Sequence, residues 1–176
     1  MTDKAARVHG SGDDTGDEVD RLLEAWHRER PDLDVTPMQV LSRVTRLARH
    51  LDQRRRGAFS THDLEHWEFD VLAALRRAGQ PYQLSPGQLL RETLVTSGTM
   101  TNRVDRLVHR EYVVRENHPE DRRGVLVRLT APGKQAIDET LSDLVAAEEE
   151  MLSDLEPSER ETLAGLLRRL ILPYEA

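Results

Sequence analysis

The chain of 176 residues contains no cysteine, which excludes structural disulfides, thiolate metal sites and switching by cysteine oxidation. Aromatic residues are scarce, two Phe, two Trp and three Tyr, so each one invites a reason for its presence. No apolar run approaches the roughly 20 residues needed to span a bilayer, and the polar, Gly-containing start has no signal-peptide core. A cytoplasmic protein with no membrane partner is the expectation. A Gly-rich phosphate loop, a nucleophile elbow and a distinct pair of carboxylates are also missing, so an enzyme is not expected.

Positive charge is in short supply overall, with a net charge of −7, but its distribution is uneven. Between Arg91 and Lys134 nine cations face six anions, while acids collect at Asp13–Glu18 and Glu148–Glu161. That asymmetry creates a local basic face in an acidic protein, the electrostatic footprint of a phosphate-bearing partner.

Residues 1–16 are expected to be a disordered tail, because Gly10, Gly12, Gly16 and the surrounding charges have nothing to bury. Residues 17–176 are expected to form a single domain. Val19, Leu22, Leu23 and Trp26 recur at helical spacing and predict a first helix ending before Pro31. Thr36-Pro37 opens a long helix with an apolar stripe through Met38, Leu41, Val44, Leu47 and Leu51, closed by Gly57; its arginines, from Arg43 to Arg56, read as a solvated face. Ser60-Thr61-His62-Asp63 is expected to cap a third helix containing Leu64, Trp67, Val71, Ala74 and Leu75. Helices starting at Thr130 and Pro157 complete the chain.

The stretch 85–130 is different in kind. Ser85-Pro86 begins a short helix, and a second runs from Thr96-Ser97 to Arg110. Two strands follow, Tyr112–Arg115 and Val125–Leu129, around the charged tip Glu116–Gly124. Helix, helix and strand-tip-strand in this order predict a mainly α fold with a small β-wing (α+β), a winged helix-turn-helix with a helical dimerisation region, and hence binding to double-stranded DNA. On the second helix Met100, Val104, Leu107 and Val108 share the apolar side, while Thr99, Asn102 and Arg106 lie opposite, able to reach base edges in a major groove. In the tip, Arg122 and Arg123 are placed to grip phosphate or enter a minor groove, with Asp121 able to orient one of them. The apolar surface of residues 17–35 and 131–174 exceeds what a small helix-turn-helix can cover, so those segments are expected to build a homodimer.

With these residues in place, the segment Ser97-Gly98-Thr99-Met100-Thr101-Asn102-Arg103-Val104-Asp105-Arg106-Leu107, together with Asp121-Arg122-Arg123 and Leu129-Thr130-Ala131-Pro132-Gly133-Lys134, resembles the MarR family of bacterial transcriptional regulators. The similarity covers about residues 36–173. The added first helix with its Trp26 resembles the urate-responsive and PecS-like branch, which includes members answering to aconitate or citrate. The resemblance implies a dimeric repressor released by a small anionic effector such as urate, citrate or aconitate, with Trp26, Asp70, Arg103 and Arg115 as the ligand site and no cofactor. One physical check is independent of it: at roughly 100° per residue Arg103 lies about 85° from the centre of the apolar side, at its border, where a long side chain can turn toward the scaffold and Asp70.

Histidine is the remaining candidate chemistry. His62 and His66 have i, i+4 spacing, but in the order His-Asp-Leu-Glu-His and with no third ligand, so no metal site is expected. His27, His50 or His109 could confer pH sensitivity. The alternatives to an effector-released repressor are therefore a ligand-independent architectural DNA-binding protein and a metal- or pH-responsive regulator.

Overall fold

A computed structural model of the chain describes residues 16–93, 95–119 and 124–175. Among them the order is α1 (Glu18–Glu29), α2 (Thr36–Thr61), α3 (His66–Arg77), β1 (Gln83–Leu84), α4 (Pro86–Thr93), α5 (Ser97–His109), β2 (Val113–Asn117), β3 (Val125–Leu129), α6 (Ala131–Met151) and α7 (Pro157–Ile171), followed by a 3₁₀ turn at Leu172–Tyr174. Contacts divide the chain into two units that meet within α2, one up to His50 and one from Leu51 onward. Of the expected tail, residues 1–15 lie outside the described residues.

In the first unit, Asp17 caps α1 by accepting from the Val19 and Asp20 amides at 2.8 and 3.1 Å, and Asp20 returns the bond to the Asp17 amide at 2.8 Å. This reciprocal arrangement satisfies orphan donors of the first turn. Val19 and Leu23 bury one side of α1 with Val35, and Met38 packs against them. The arginines of α2 are not simply solvated, as the sequence pattern suggested. Arg43 reaches Asp17 at 2.8 Å and Asp20 at 2.7 Å, and Arg46 pairs with Glu18, so both are drawn to the negative first turn of α1.

The second unit is built around α3, whose residues Val71 to Leu75 are buried without interruption. A helix apolar on every side needs cover on every side. Ile137 and Leu144 of α6, Leu89 of α4, Met100, Val104 and Leu107 of α5, and Val113, Val127 and Leu129 of the sheet supply it. The sheet is antiparallel in the order β1-β3-β2. Val113 pairs with Leu129 and Asn117 with Val125, so β2 runs two residues beyond the expected Arg115; Gln83 and Leu84 add a strand by pairing with Arg128 and Val127.

Two expected boundaries are corrected. Gly57 does not close α2, because an interior glycine costs only about 1 kcal/mol and the packed neighbours outweigh it. The helix continues to Thr61, and the Ser60 and Thr61 hydroxyls donate back to the Gly57 carbonyl at 2.9 and 3.1 Å instead of capping α3. The stop is Asp63, in the left-handed region at φ 52°, with the Leu64 amide bonded to Phe59 O at 2.9 Å. Leu64 thus precedes α3, and Glu65 occupies its N-cap position, its amide donating to the Glu68 carboxylate at 2.9 Å.

Candidate nucleic-acid interface

The interface is built where the N-terminus of α3 meets α5. Thr96 precedes α5 in extended conformation, and the buried Met100, Val104 and Leu107 seat the helix on the core. That burial leaves Thr99, Asn102 and Arg106 exposed on the other side, as the helical wheel requires. Thr99 Oγ1 lies 3.0 Å from Thr96 Oγ1.

Trp67, which the sequence reading placed in α3 among apolar side chains, packs against the core and makes a second set of contacts. Its indole is only partly buried and carries two guanidinium groups, that of Arg106 at 4.6 Å and that of Arg103 at 5.7 Å from the ring. Stacking of this kind orients the planar guanidinium while leaving its donors free. Trp67 Nε1 donates to Glu65 Oε2 at 2.7 Å, and the other oxygen of Glu65 accepts from Arg106. The bond from Trp67, and then that from Arg106, holds the Glu65 carboxyl below its ordinary range. Trp67, Thr99, Asn102, Arg103 and Arg106 line one recess of about 220 Å³.

One turn further along α5, Arg110 makes a buried counterpart to this surface cluster. It donates to Glu68 at 2.7 Å, to Asp63 at 2.9 Å and to Tyr112 Oη at 3.2 Å. Glu68 is 1% exposed. Burial alone would lower the Arg110 pKa, but Glu68 offsets it and the net shift is upward.

The residues assigned to an effector site are distributed as follows. Arg103 turns to the scaffold, as its position at the border of the apolar side anticipates, but it meets Trp67 and not Asp70. Asp70 instead faces His66 at 3.2 Å. Arg115 on β2 pairs with Asp105 of α5. Trp26 lies on α1 in the first unit and is 44% exposed, so it does not serve as core packing within the chain. Arg122 and Arg123, with Asp121, lie outside the described residues. At the root of the wing, Arg128 on β3 pairs with Glu116 on β2, which lowers the Glu116 pKa.

Sequence reasoning missed Glu65, Trp67 and Arg110. The i, i+4 step from Trp67 to Val71 was available, but it signals a core stripe equally well. Among the histidines, His62 turns to Asp143 of α6 at 2.7 Å while His66 turns to Asp70. No group of three metal-ligating side chains occurs among the described residues, and none of their helices is long and apolar enough to cross a membrane.

Comparison with known proteins places this geometry. The MarR family model matches residues 62–124, the stretch from the start of α3 to the wing. The HTH-type transcriptional regulator PecS of Dickeya dadantii is 37% identical over 153 residues, 87% of this chain and 92% of PecS. Among solved structures, a mutant MarR from E. coli complexed with operator DNA superposes with a TM-score of 0.60 at 27% identity, covering 79% of this chain and 99% of that one. BpsR of Bordetella bronchiseptica, whose DNA binding is regulated by 6-hydroxynicotinic acid, gives 0.56 at 29% identity over 72% of this chain and 91% of its own. By its sequence over nearly the whole of PecS and by its fold, the chain belongs to the MarR family of winged-helix, DNA-binding transcriptional regulators.

Proposed function

We propose that the protein is a homodimeric repressor, acting in the cytoplasm on a pseudo-palindromic operator and released by a small anionic effector. The observation that carries this reading is the shared Trp67 platform, which gathers three residues suited to read DNA, Thr99, Asn102 and Arg106, together with Arg103, assigned to the effector. Arg106 takes a guanine edge, Asn102 an adenine edge, and Arg122 and Arg123 in the wing contact phosphate or the minor groove. Residues 85–130 form the DNA-binding part of a winged-helix domain spanning 17–176, and residues 17–35 and 131–174 associate the two subunits. The half-sites then lie about one helical turn apart.

The effector is a urate, citrate or aconitate-like anion bound by Trp26, Asp70, Arg103 and Arg115. Its negative charge competes with Asp105 for Arg115 and draws Arg103 off Trp67, so that α5 loses the side-chain positions it needs on DNA. The regulation of BpsR by an aromatic carboxylate supports an effector of this class. The protein acts by binding and has no catalytic role or cofactor.

The test begins with duplexes selected by the wild-type protein from a random pool. Arg106→Ala is expected to bind the selected duplex roughly tenfold to a hundredfold more weakly, the loss of about 1–3 kcal/mol typical of a bidentate base contact. Unchanged affinity would remove Arg106 from the interface. In a thermal-shift screen over urate, citrate, the aconitates and phenolic acids, the ligand that stabilises wild type should not stabilise Arg103→Ala. Equal stabilisation of both proteins would refute the effector site.

A further inference from the structure

The arginines of α5 are held by carboxylates in two different ways, and the difference is informative. Arg110 is 27% exposed but its partner Glu68 is 1% exposed, so one member of this pair is buried in the protein. Arg106 is 54% exposed and its partner Glu65 is 56% exposed. An exposed ion pair is weak and exchanges its partner readily, whereas breaking a buried one strands a charge. The contact with buried Glu68 ties the end of α5 to α3, while the exposed Arg106 guanidinium can leave Glu65 without moving the helix.

We propose that Glu65 sets the affinity of DNA recognition: it is an internal carboxylate that occupies Arg106 and competes with DNA for it. The proposal rests on the reading of Arg106 as a DNA contact. Glu65 presents to the guanidinium what a phosphate presents, an anionic oxygen, so exchanging one for the other gains little. It also leaves an uncompensated carboxylate next to the DNA backbone, and like charges brought together oppose binding. A guanine edge offers two acceptors in the plane of the guanidinium and recovers the lost pair with better geometry. Trp67 lies beneath Arg106 at 4.6 Å and its Nε1–H holds Glu65 at 2.7 Å, a bond separate from the ion pair, so the platform can remain when Arg106 leaves. The need to free Arg106 from Glu65 therefore weakens the binding of every duplex that Arg106 contacts, the selected one included. Glu65 is exposed and the Trp67 and Arg106 bonds lower its pKa, so it is ionised and holds Arg106 at neutral pH.

The full-length protein is titrated with the duplex selected by wild type and with a scrambled duplex of the same composition. Glu65→Gln keeps the shape and the bond from Trp67 but removes the charge, and its unfolding midpoint reports retention of the fold. Glu65→Ser, a favoured helix-capping side chain, carries the same expectation if the glutamine variant is unstable. Glu65→Gln should bind the selected duplex about two- to fivefold more tightly than wild type, the range of an exposed ion pair, and the scrambled duplex more tightly by no more than that factor. In a Trp26→Phe background the fluorescence of Trp67 should change on binding the selected duplex but much less on binding the scrambled one. If Arg106→Ala weakens binding while Glu65→Gln leaves both affinities unchanged or weakens them, the role of Glu65 is refuted and that of Arg106 stands. If Arg106→Ala binds the selected duplex like wild type, the reading of Arg106 fails and this proposal with it.

Discussion

Glu111 shows how much a single residue contributes to the geometry of the reading helix. It follows the C-cap of α5 at φ 60°, with its amide bonded to Val108 O at 2.9 Å and the next amide, of Tyr112, bonded to Leu107 O at 3.0 Å. Gly79 occupies the corresponding place after α3, at φ 75° with its amide on Arg76 O. The same turn is thus made once by the residue suited to it and once by a residue with a Cβ that disfavours it. Glu111→Gly is expected to stabilise the protein by about 1 kcal/mol, the cost of a left-handed side-chain residue, set against a smaller gain in unfolded-chain entropy. Chemical denaturation measures it, and a lower midpoint for the variant would show that the Glu111 side chain contributes more than its backbone costs. Such residues were not legible beforehand. Asp63 and Glu111 end helices without the glycine that usually marks an end, whereas Gly57 carries the mark inside a helix; the local signal was overruled at all three positions by packing.

At the level of elements, legibility followed periodicity. α5 was readable almost to the residue because Met100, Val104 and Leu107 keep a helical period against an exposed polar side, and β3 because its residues are β-prone and bounded by Gly124 and Thr130. β1, at two residues, is too short to carry a pattern and exists only by pairing with β3. The second role of Trp67 was hidden because partial burial under two arginines leaves no trace in apolar spacing. The ion pairs that tie elements together join residues distant in sequence and were equally hidden. Arg76 on α3 bonds Asp138 on α6 at 2.7 Å, and Lys134 reaches the other oxygen of Asp138 at 2.7 Å. Arg76, then Lys134, lowers the Asp138 pKa. A depressed carboxyl pKa adds stability above its unfolded value and loses it as pH falls through the folded value. The stability difference between wild type and Asp138→Asn should therefore be constant from neutral pH down to about pH 4, near the unfolded value, and close below it. Acid titrations of both unfolding midpoints provide the check, and a gap that closes between pH 7 and 5 would assign it to another group.

For the whole molecule the informative feature is apolar surface that the chain leaves uncovered. No residue of α7 is buried, and Leu166, Leu167, Leu170 and Ile171 are exposed along it. In the first unit Val40, Leu41, Val44 and Leu47 are exposed on α2. Faces of this kind are usual at obligate subunit contacts, where folding and association are inseparable. Sedimentation equilibrium should therefore find a dimer at micromolar concentration, and a stable folded monomer would contradict it. α6, which precedes α7 in the chain, is tied to the end of α5 through one residue. The Thr130 hydroxyl donates to Glu111 O at 2.7 Å and its amide to Tyr112 O at 3.1 Å. Gly133, in the first turn of α6, has no room for a Cβ, which would stand 2.0 Å from that same Tyr112 oxygen. The end of α5, the start of the wing and the start of α6 thus share a joint with no slack, and α6 is a lever whose short arm is the recognition helix. On the proposed reading, with α5 at the DNA and the outer helices joining the subunits, a tilt imposed where subunits meet is delivered at the DNA as a change in the distance between two reading heads.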